Sequence, residues 1–391
     1  MVRDSVVDSA VRERAETLLR SVPGRFGSVL HSERVAARLG MWLGISFTVA
    51  FVTGLISHFM QHPPGGLAWP SRPVGLYRVT QGLHVIGGLA TVPLLFAKLW
   101  TVYPKLWQWP PFRSLSHAME RALVLVLVGA SLFQLVTGLL NISYVYLWPF
   151  SFPVAHYWTA YLLYGALIIH VVNEWAKIRG NLWTREQVDP PETVTARRRF
   201  LGTVAAASGL TVLFTVGETY APLSRLALLA PRDPHIGPQG LPVNKSAEAA
   251  GVTIVIHDPG YRLTVTGAVR TPLSLAYDDL LRLPQHTVRL PIACVEGWSA
   301  EAEWSGIRLR DLAALAGIAP DAVLTVESLE RGGGYRSSEV RPPHWNDPLT
   351  LLALRIGGAP LAPDHGFPVR LIAPNRPGVL QTKWVSKVVA A

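Results

Sequence analysis

The chain has 391 residues, of which 49% are hydrophobic and only 16% charged, and its formal net charge is +10. Soluble domains carry about 25% charged residues, so a wholly soluble chain is excluded and membrane segments are expected. The basic residues cluster beside apolar runs, which is a topology signal and not a nucleic-acid footprint, and no nucleic-acid partner is expected.

In chain order, apolar runs occupy 39–60, 79–100, 122–145 and 157–176, and a shorter one rich in small residues follows at 200–216. Each is near the length that crosses a hydrocarbon core of roughly 30 Å. Lys and Arg are retained on the cytoplasmic side. Seven Arg precede residue 39; Lys98, Lys105, Arg113 and Arg121 flank the second connection; Lys177, Arg179, Arg185 and Arg197 to Arg199 precede the fifth run; 143–158 has no Lys or Arg. The expected topology is a multi-pass protein of the cell membrane, amino terminus cytoplasmic and carboxy-terminal domain outside. Its segments are a cytoplasmic stretch (1–38), an all-α transmembrane four-helix bundle (39–178), a cytoplasmic loop (179–199), a fifth anchor helix (200–217), a proline-rich linker (218–240) and an extracytoplasmic α+β domain (241–391).

Spans one and three share an echo, Val52-Thr53-Gly54-Leu55 against Val136-Thr137-Gly138-Leu139, which suggests a duplicated helix pair. Spans two and four each carry a His-Val pair, His84-Val85 and His170-Val171. Ionisable residues inside a membrane are costly and usually functional. His156 and His170 are 14 residues apart, which at about 100° and 1.5 Å per residue puts them on nearly one helix face, roughly 21 Å apart along the axis. That spacing suits two stacked haems, with His84 at a depth to share the outer one with His156; the alternative is that these histidines only bond neighbouring helices. The pattern resembles the membrane b-type cytochrome subunits of formate dehydrogenases and hydrogenases, and the resemblance implies one or two haem b groups with His84, His156 and His170 as iron ligands. It departs from that family in span one, which has no histidine near its cytoplasmic end. The partner of His170 therefore stays open between His31 and His117, while His58 and His62 stand on the other side.

Before the fifth run stands Arg197-Arg198-Arg199-Phe200-Leu201, which resembles a twin-arginine export signal and implies the twin-arginine translocase as a partner in biogenesis. An ordinary positive-inside anchor is the other reading. No cleavage site follows, so the run is expected to remain as a helix.

Beyond about residue 234, short β-type runs are expected at 252–257, 261–269, 287–293, 323–329 and 369–373, with helices at 276–282 and 309–316. Cys294 is the only cysteine in the chain. It cannot form an internal disulfide, a cysteine-ligated cluster or a multi-cysteine zinc site. A buried structural thiol, a nucleophile and a single thiolate ligand to a cofactor-held metal remain open.

Cys294-Val295-Glu296-Gly297-Trp298-Ser299, Trp304-Ser305-Gly306, Asp364-His365-Gly366-Phe367-Pro368-Val369-Arg370 and Thr382-Lys383-Trp384 together resemble the sulfite-oxidase family of molybdopterin enzymes. They resemble in particular the branch of the bacterial methionine-sulfoxide reductase catalytic subunit, which shares the Cys-Val-Glu-x-Trp-Ser string. The resemblance implies a Mo-molybdopterin cofactor, with Cys294 as the one protein ligand to molybdenum and the catalytic centre. It implies pterin and phosphate contacts from His365, Arg370 and Lys383, and an early pterin-binding turn at Asn244 and Lys245. The Gly332-Gly333-Gly334-Tyr335-Arg336 loop reads as a rim, and no arginine cluster for a sulfite anion is evident. The whole reads as a molybdenum-dependent oxidoreductase of the bilayer that exchanges electrons between a small-molecule substrate and membrane quinone or quinol through haem. The rival expectation is a membrane-anchored binding or assembly protein whose outer domain holds no metal.

Overall fold

A computed structural model of the chain describes residues 17, 27–108, 110, 112–183, 189–230, 233 and 235–391. Five long helices come first: α1 (Glu33–Gln61), α2 (Leu76–Leu106), α3 (Leu115–Ile142), α4 (Phe152–Trp183) and α5 (Pro191–Val216). All five are long and apolar enough to cross a membrane. Each extends past its apolar run, because backbone hydrogen bonding continues into polar flanks that good helix formers fill. The largest extension at a single end is that of α5, which begins at Pro191. Asp189-Pro190-Pro191 opens it, proline at the first helical position being preset for the helix. Arg197 to Arg199 therefore lie inside a helix, not in the expected 179–199 loop, and Asp189 meets both Arg34 and Arg197. Arg185 and the Arg residues at 3, 12, 14, 20 and 25 lie outside the described residues.

Two compact units partition the chain: Met1–Val52 with Ile86–Leu213, and Thr53–Val85 with Phe214–Ala391. In the first, Val35, Leu39, Leu43 and Phe47 of α1 bury against Leu94 and Leu95 of α2, Leu135 of α3, Leu163 of α4 and Val204 of α5. Small residues allow close approach where polar groups cross between helices: Ser46 Oγ donates to Gly87 O (2.8 Å) and Ser208 Oγ to Ala90 O (3.1 Å).

The second unit contains two five-stranded sheets. One has the order β2 (Leu273–Ala276), β1 (Arg262–Gly267), β10 (Val385–Ala390), β5 (Leu324–Ser328), β6 (Ser337–Val340); only β1 and β10 run parallel. The other has β3 (His286–Ala293), β4 (Ser299–Arg308), β7 (Leu351–Ile356) and β8 (Ala359–Pro360), with β9 (Arg370–Ile372) also on β7. Helices α6 (Tyr277–Arg282), α7 (Leu309–Ala316) and α8 (Pro342–Trp345) complete it. Strand β7 reads Leu-Leu-Ala-Leu without alternation because both faces are covered: Leu352 and Leu354 join Leu263, Leu312, Leu324 and Val388, while Leu351 and Ala353 join Leu290, Ile292, Trp298 and Trp304.

The run expected as a strand at 252–257 is instead a turn ending in a 3-10 segment at Val255–His257. Ile256 N bonds Val252 O (3.1 Å), and Val252 and Ile256 pack on Trp384. No neighbouring strand takes up its backbone groups, so they are satisfied locally.

The connection between α1 and α2 belongs to this second unit. Asp347 accepts from Ser71 Oγ (2.7 Å), Arg72 Nε (3.0 Å) and Arg72 NH2 (3.2 Å). Asn375 donates to Pro70 O (2.7 Å) and accepts from Tyr77 N (2.9 Å). The connection between α1 and α2 is thus folded into the same unit as the two sheets.

Candidate active site

Cys294 lies just past the end of β3, where the chain turns tightly into β4: Cys294 N bonds Trp298 O (2.9 Å) and Gly297 N bonds Cys294 O (3.2 Å). The sulfur is buried yet borders a cavity. Asn244 Nδ2 donates to Sγ at 2.8 Å, and Asn244 Oδ1 accepts from Trp298 Nε1 at 3.3 Å, so the asparagine braces both. Burial, and then the Glu296 carboxylate, pushes the thiol up to about 12. Alone it is a neutral, weakly nucleophilic group; only a strong positive centre beside it would ionise it.

The cavity is walled by Asn244, Lys245, Cys294, Trp298, Tyr335, Arg370, Thr382 and Lys383 among others, with about 760 Å³ of empty space, open solvent at its mouth included. Arg370 starts β9 and is buried, with its Nε lacking any hydrogen-bond partner; NH1 donates only to His365 O (3.2 Å), and the guanidinium lies 5.6 Å from the Trp304 ring. Burial pushes it down to about 10, so it keeps its charge at neutral pH. Lys383 donates to the carbonyls of Lys245 (2.8 Å) and Asp364 (2.7 Å), and burial and the Arg370 charge push it down to about 7. Neither cation donates to a carboxylate among the described residues. Its neighbour Trp384 takes a left-handed backbone, φ 52°, which is costly for a bulky residue and sets the direction of the wall where β10 begins.

Two buried cations without a counter-ion, beside a buried thiol on an open cavity, fit a cofactor with a phosphate at one end and a soft metal at the other. The cations suit charge-assisted bonds to phosphate and the sulfur a polarisable metal. Among the described residues no three His, Cys, Asp or Glu side chains converge to hold an ion, so a metal here depends on ligands from the cofactor.

Five of the six expected outer-domain residues share the cavity wall. His365 does not. Its Nε2 meets Pro238 O at 2.6 Å and its carbonyl accepts from Arg370, so it stands behind the wall and positions the arginine. Burial pushes it down to about 4, which keeps it neutral. Lys245 is engaged at the mouth by Glu330. Tyr335 joins the wall, its phenol raised by burial and by the Cys294 sulfur. Glu330 was not foreseen; a lone acid before a glycine run carries little signal.

Of the expected iron ligands, His156 meets Thr137 Oγ1 through Nδ1 (3.0 Å), and its backbone carbonyl accepts from Gln134 (2.6 Å). A Cβ on Gly138 would stand 3.5 Å from the His156 ring, and one on Gly54 only 2.7 Å from His84 Nδ1. His170 lies midway along α4. His31 meets Thr101 O through Nδ1 (3.1 Å) and His117 accepts from Arg113 N (3.3 Å).

Residues 250–391 match the family of the oxidoreductase molybdopterin-binding domain. The chain is 31% identical over 126 residues to the uncharacterized oxidoreductase YuiH of Bacillus subtilis (strain 168), covering 32% of this chain and 62% of that protein. It is 30% identical over 165 residues to the mitochondrial sulfite oxidase of Drosophila melanogaster, covering 35% and 28%. It is 32% identical over 157 residues to the protein-methionine-sulfoxide reductase catalytic subunit MsrP of Gluconobacter oxydans (strain 621H), covering 36% and 50%. The chain thus spans less than two-thirds of the length of each of these relatives. Residues 250–391 thus form a molybdopterin-binding oxidoreductase domain similar to those of sulfite oxidases and MsrP, preceded by a region of apolar helices.

Proposed function

We propose that the chain is a membrane oxidoreductase in which quinol reduces an S-oxide or N-oxide at a molybdenum–pterin site outside the cell membrane, with electrons passing through b-type haem in a four-helix bundle. The observation that carries it is the Cys294 sulfur on a cavity that also holds the uncompensated Arg370 and Lys383. When bound, the cofactor supplies oxygen-atom transfer. The chain supplies the rest. Cys294 ligates the metal and Asn244 fixes its sulfur; Arg370 and Lys383 hold the phosphate, with Arg370 set by His365; Tyr335 and Trp298 line the substrate side.

The overall reaction balances as sulfoxide plus quinol giving thioether, quinone and water, with quinol furnishing two electrons and two protons. A neutral oxide is favoured over sulfite because the mouth-level cation, Lys245, is engaged by Glu330. An anion there would meet a carboxylate and a neutralised lysine. His84, His156 and His170 are the iron ligands in this reading. The Arg197 to Arg199 segment directs export of the folded domain, and the basic flanks set the amino terminus inside.

Detergent-purified protein tests the reading. Stoichiometric molybdenum, a Soret band reduced by a quinol analogue and reoxidised by methionine sulfoxide or trimethylamine N-oxide support it. Haem reduction by sulfite would reverse the direction, and the joint absence of metal and Soret band would leave a metal-free binding protein. Cys294→Ser is expected to abolish turnover while leaving haem reduction by quinol intact; unchanged turnover would reject Cys294 as the metal ligand.

A further inference from the structure

The turn that carries Cys294 is held from outside by the ends of two long helices. Thr219 Oγ1, just past α5, donates to Gly297 O at 2.7 Å, and Ser299 N bonds Glu218 O at 3.0 Å. Gly297 has φ +104°, and a Cβ there would come within 2.8 Å of Val85 on α2, so only glycine admits this approach. Gln81, also on α2, makes a further bond to the turn: its Nε2 donates to Val295 O at 2.6 Å. Gln81 is 6% exposed. An amide buried in an apolar helix is costly unless bonded, so its presence asks for a reason.

That reason lies in its two neighbours. On one side, Val295 is joined to Cys294 by the peptide bond. On the other, His84 is three residues further along α2, one helical turn on the same side. A connection from sulfur to imidazole therefore runs from the turn through the hydrogen bond that the Gln81 amide donates to Val295 O and continues in helix backbone.

We propose that Gln81 is a positioning residue that fixes the cysteine-bearing turn on α2 and carries the electronic connection between Cys294 and His84. The inference rests on the haem and molybdenum reading above. In the step concerned one electron leaves the iron at His84, which is oxidised, and one arrives at the metal held by Cys294, which is reduced; no bond or proton shifts at Gln81. The glutamine touches neither reacting centre and acts through Val295.

The test uses the full holoprotein in detergent. Wild type, Gln81→Leu and Arg78→Ala are reduced with a quinol analogue and mixed with methionine sulfoxide, or with trimethylamine N-oxide, while the Soret band is followed and the Mo(V) resonance is recorded. Arg78 donates to Glu301 Oε1 at 2.7 Å, so its variant breaks another bond between α2 and the outer domain without touching the turn. Gln81→Leu is expected to keep its haem and molybdenum, to slow haem reoxidation several-fold and to shift the Mo(V) resonance; Arg78→Ala is expected to do neither. Should Gln81→Leu fail to load metal, Gln81→Met, which also lacks the donor, is held to the same criterion. Equal reoxidation rates and an unshifted resonance in the glutamine variant, or equal slowing in both, overturn the inference alone. A wild type without molybdenum or Soret band, or whose haem neither oxide reoxidises, overturns the function reading and this inference with it.

Discussion

His84 and His156 are each approached by the glycine of a Thr-Gly pair on the preceding helix. Around Cys294 the arrangement is the reverse: an asparagine on the sulfur, two buried cations and a hydrogen-bonded wall. On the proposed function the helices would admit a flat ligand by leaving out side chains and the domain around Cys294 would attract a charged one by leaving out a counter-ion, a steric device in one region and an electrostatic one in the other.

The steric side can be broken at one glycine and not at the other. Gly54→Ala would put a Cβ 2.7 Å from His84 Nδ1, so the ring must move, whereas Gly138→Ala places its Cβ 3.5 Å from His156 Cε1, an ordinary contact. Gly54→Ala is expected to lose the haem that His84 serves. Gly138→Ala is expected to keep its haem and to gain up to about 1 kcal/mol of helix stability. The haem-to-protein ratio from the Soret band checks this, and equal ratios would show that the glycine echo does not concern haem.

On the polar side, Asp347→Asn keeps the shape and removes the charge that Ser71 and Arg72 share. A loss of about 2 kcal/mol is expected, because Asp347 is buried and its partners bond a charged oxygen. Thermal melts that follow the outer domain's tryptophans, with haem absorbance unchanged, would register it. A melt indistinguishable from wild type would mean that the outer loop rests on Asn375 instead.

How much of this was legible depended on range. The helices were, because an apolar run needs no partner to declare itself, and α7 falls at the expected residues, closed by Gly317 in a left-handed conformation. The cavity residues were legible through the family resemblance of their motifs, with which the chemistry of a soft thiolate and basic side chains agrees. Strand β4 was not: Ser-Ala-Glu-Ala-Glu-Trp lacks β-branched residues, and its pairing with β3 and β7 forms it. Nor was the membership of 53–85 in the outer unit, because Arg72 and Asp347 are 275 residues apart and nothing local marks the contact. His365 was read as a cofactor contact and lies one layer back, a distinction that a motif does not carry. Gln81 had a visible signal, a polar amide three residues before His84 in an apolar run.

The smallest effect tests the electrostatic side most directly. Lys383 titrates near 7 in the folded chain against an ordinary 10.5, so between those values the unfolded chain binds a proton that the folded chain does not. The lysine's burial penalty is thus fully present below pH 7 and is relieved as pH rises towards 10.5. Stability rises with pH across that window, by up to about 1.4 kcal/mol per pH unit. The slope is expected in protein prepared without cofactor and is expected to vanish in Lys383→Met. In loaded protein a phosphate beside Lys383 restores its charge and flattens the slope as well. Thermal melts at pH 7, 8 and 9 on the three samples separate the cases. A slope that persists in loaded protein would mean that Lys383 does not face the phosphate, and the fit between this cavity and a pterin cofactor would then rest on Arg370 and Cys294 alone.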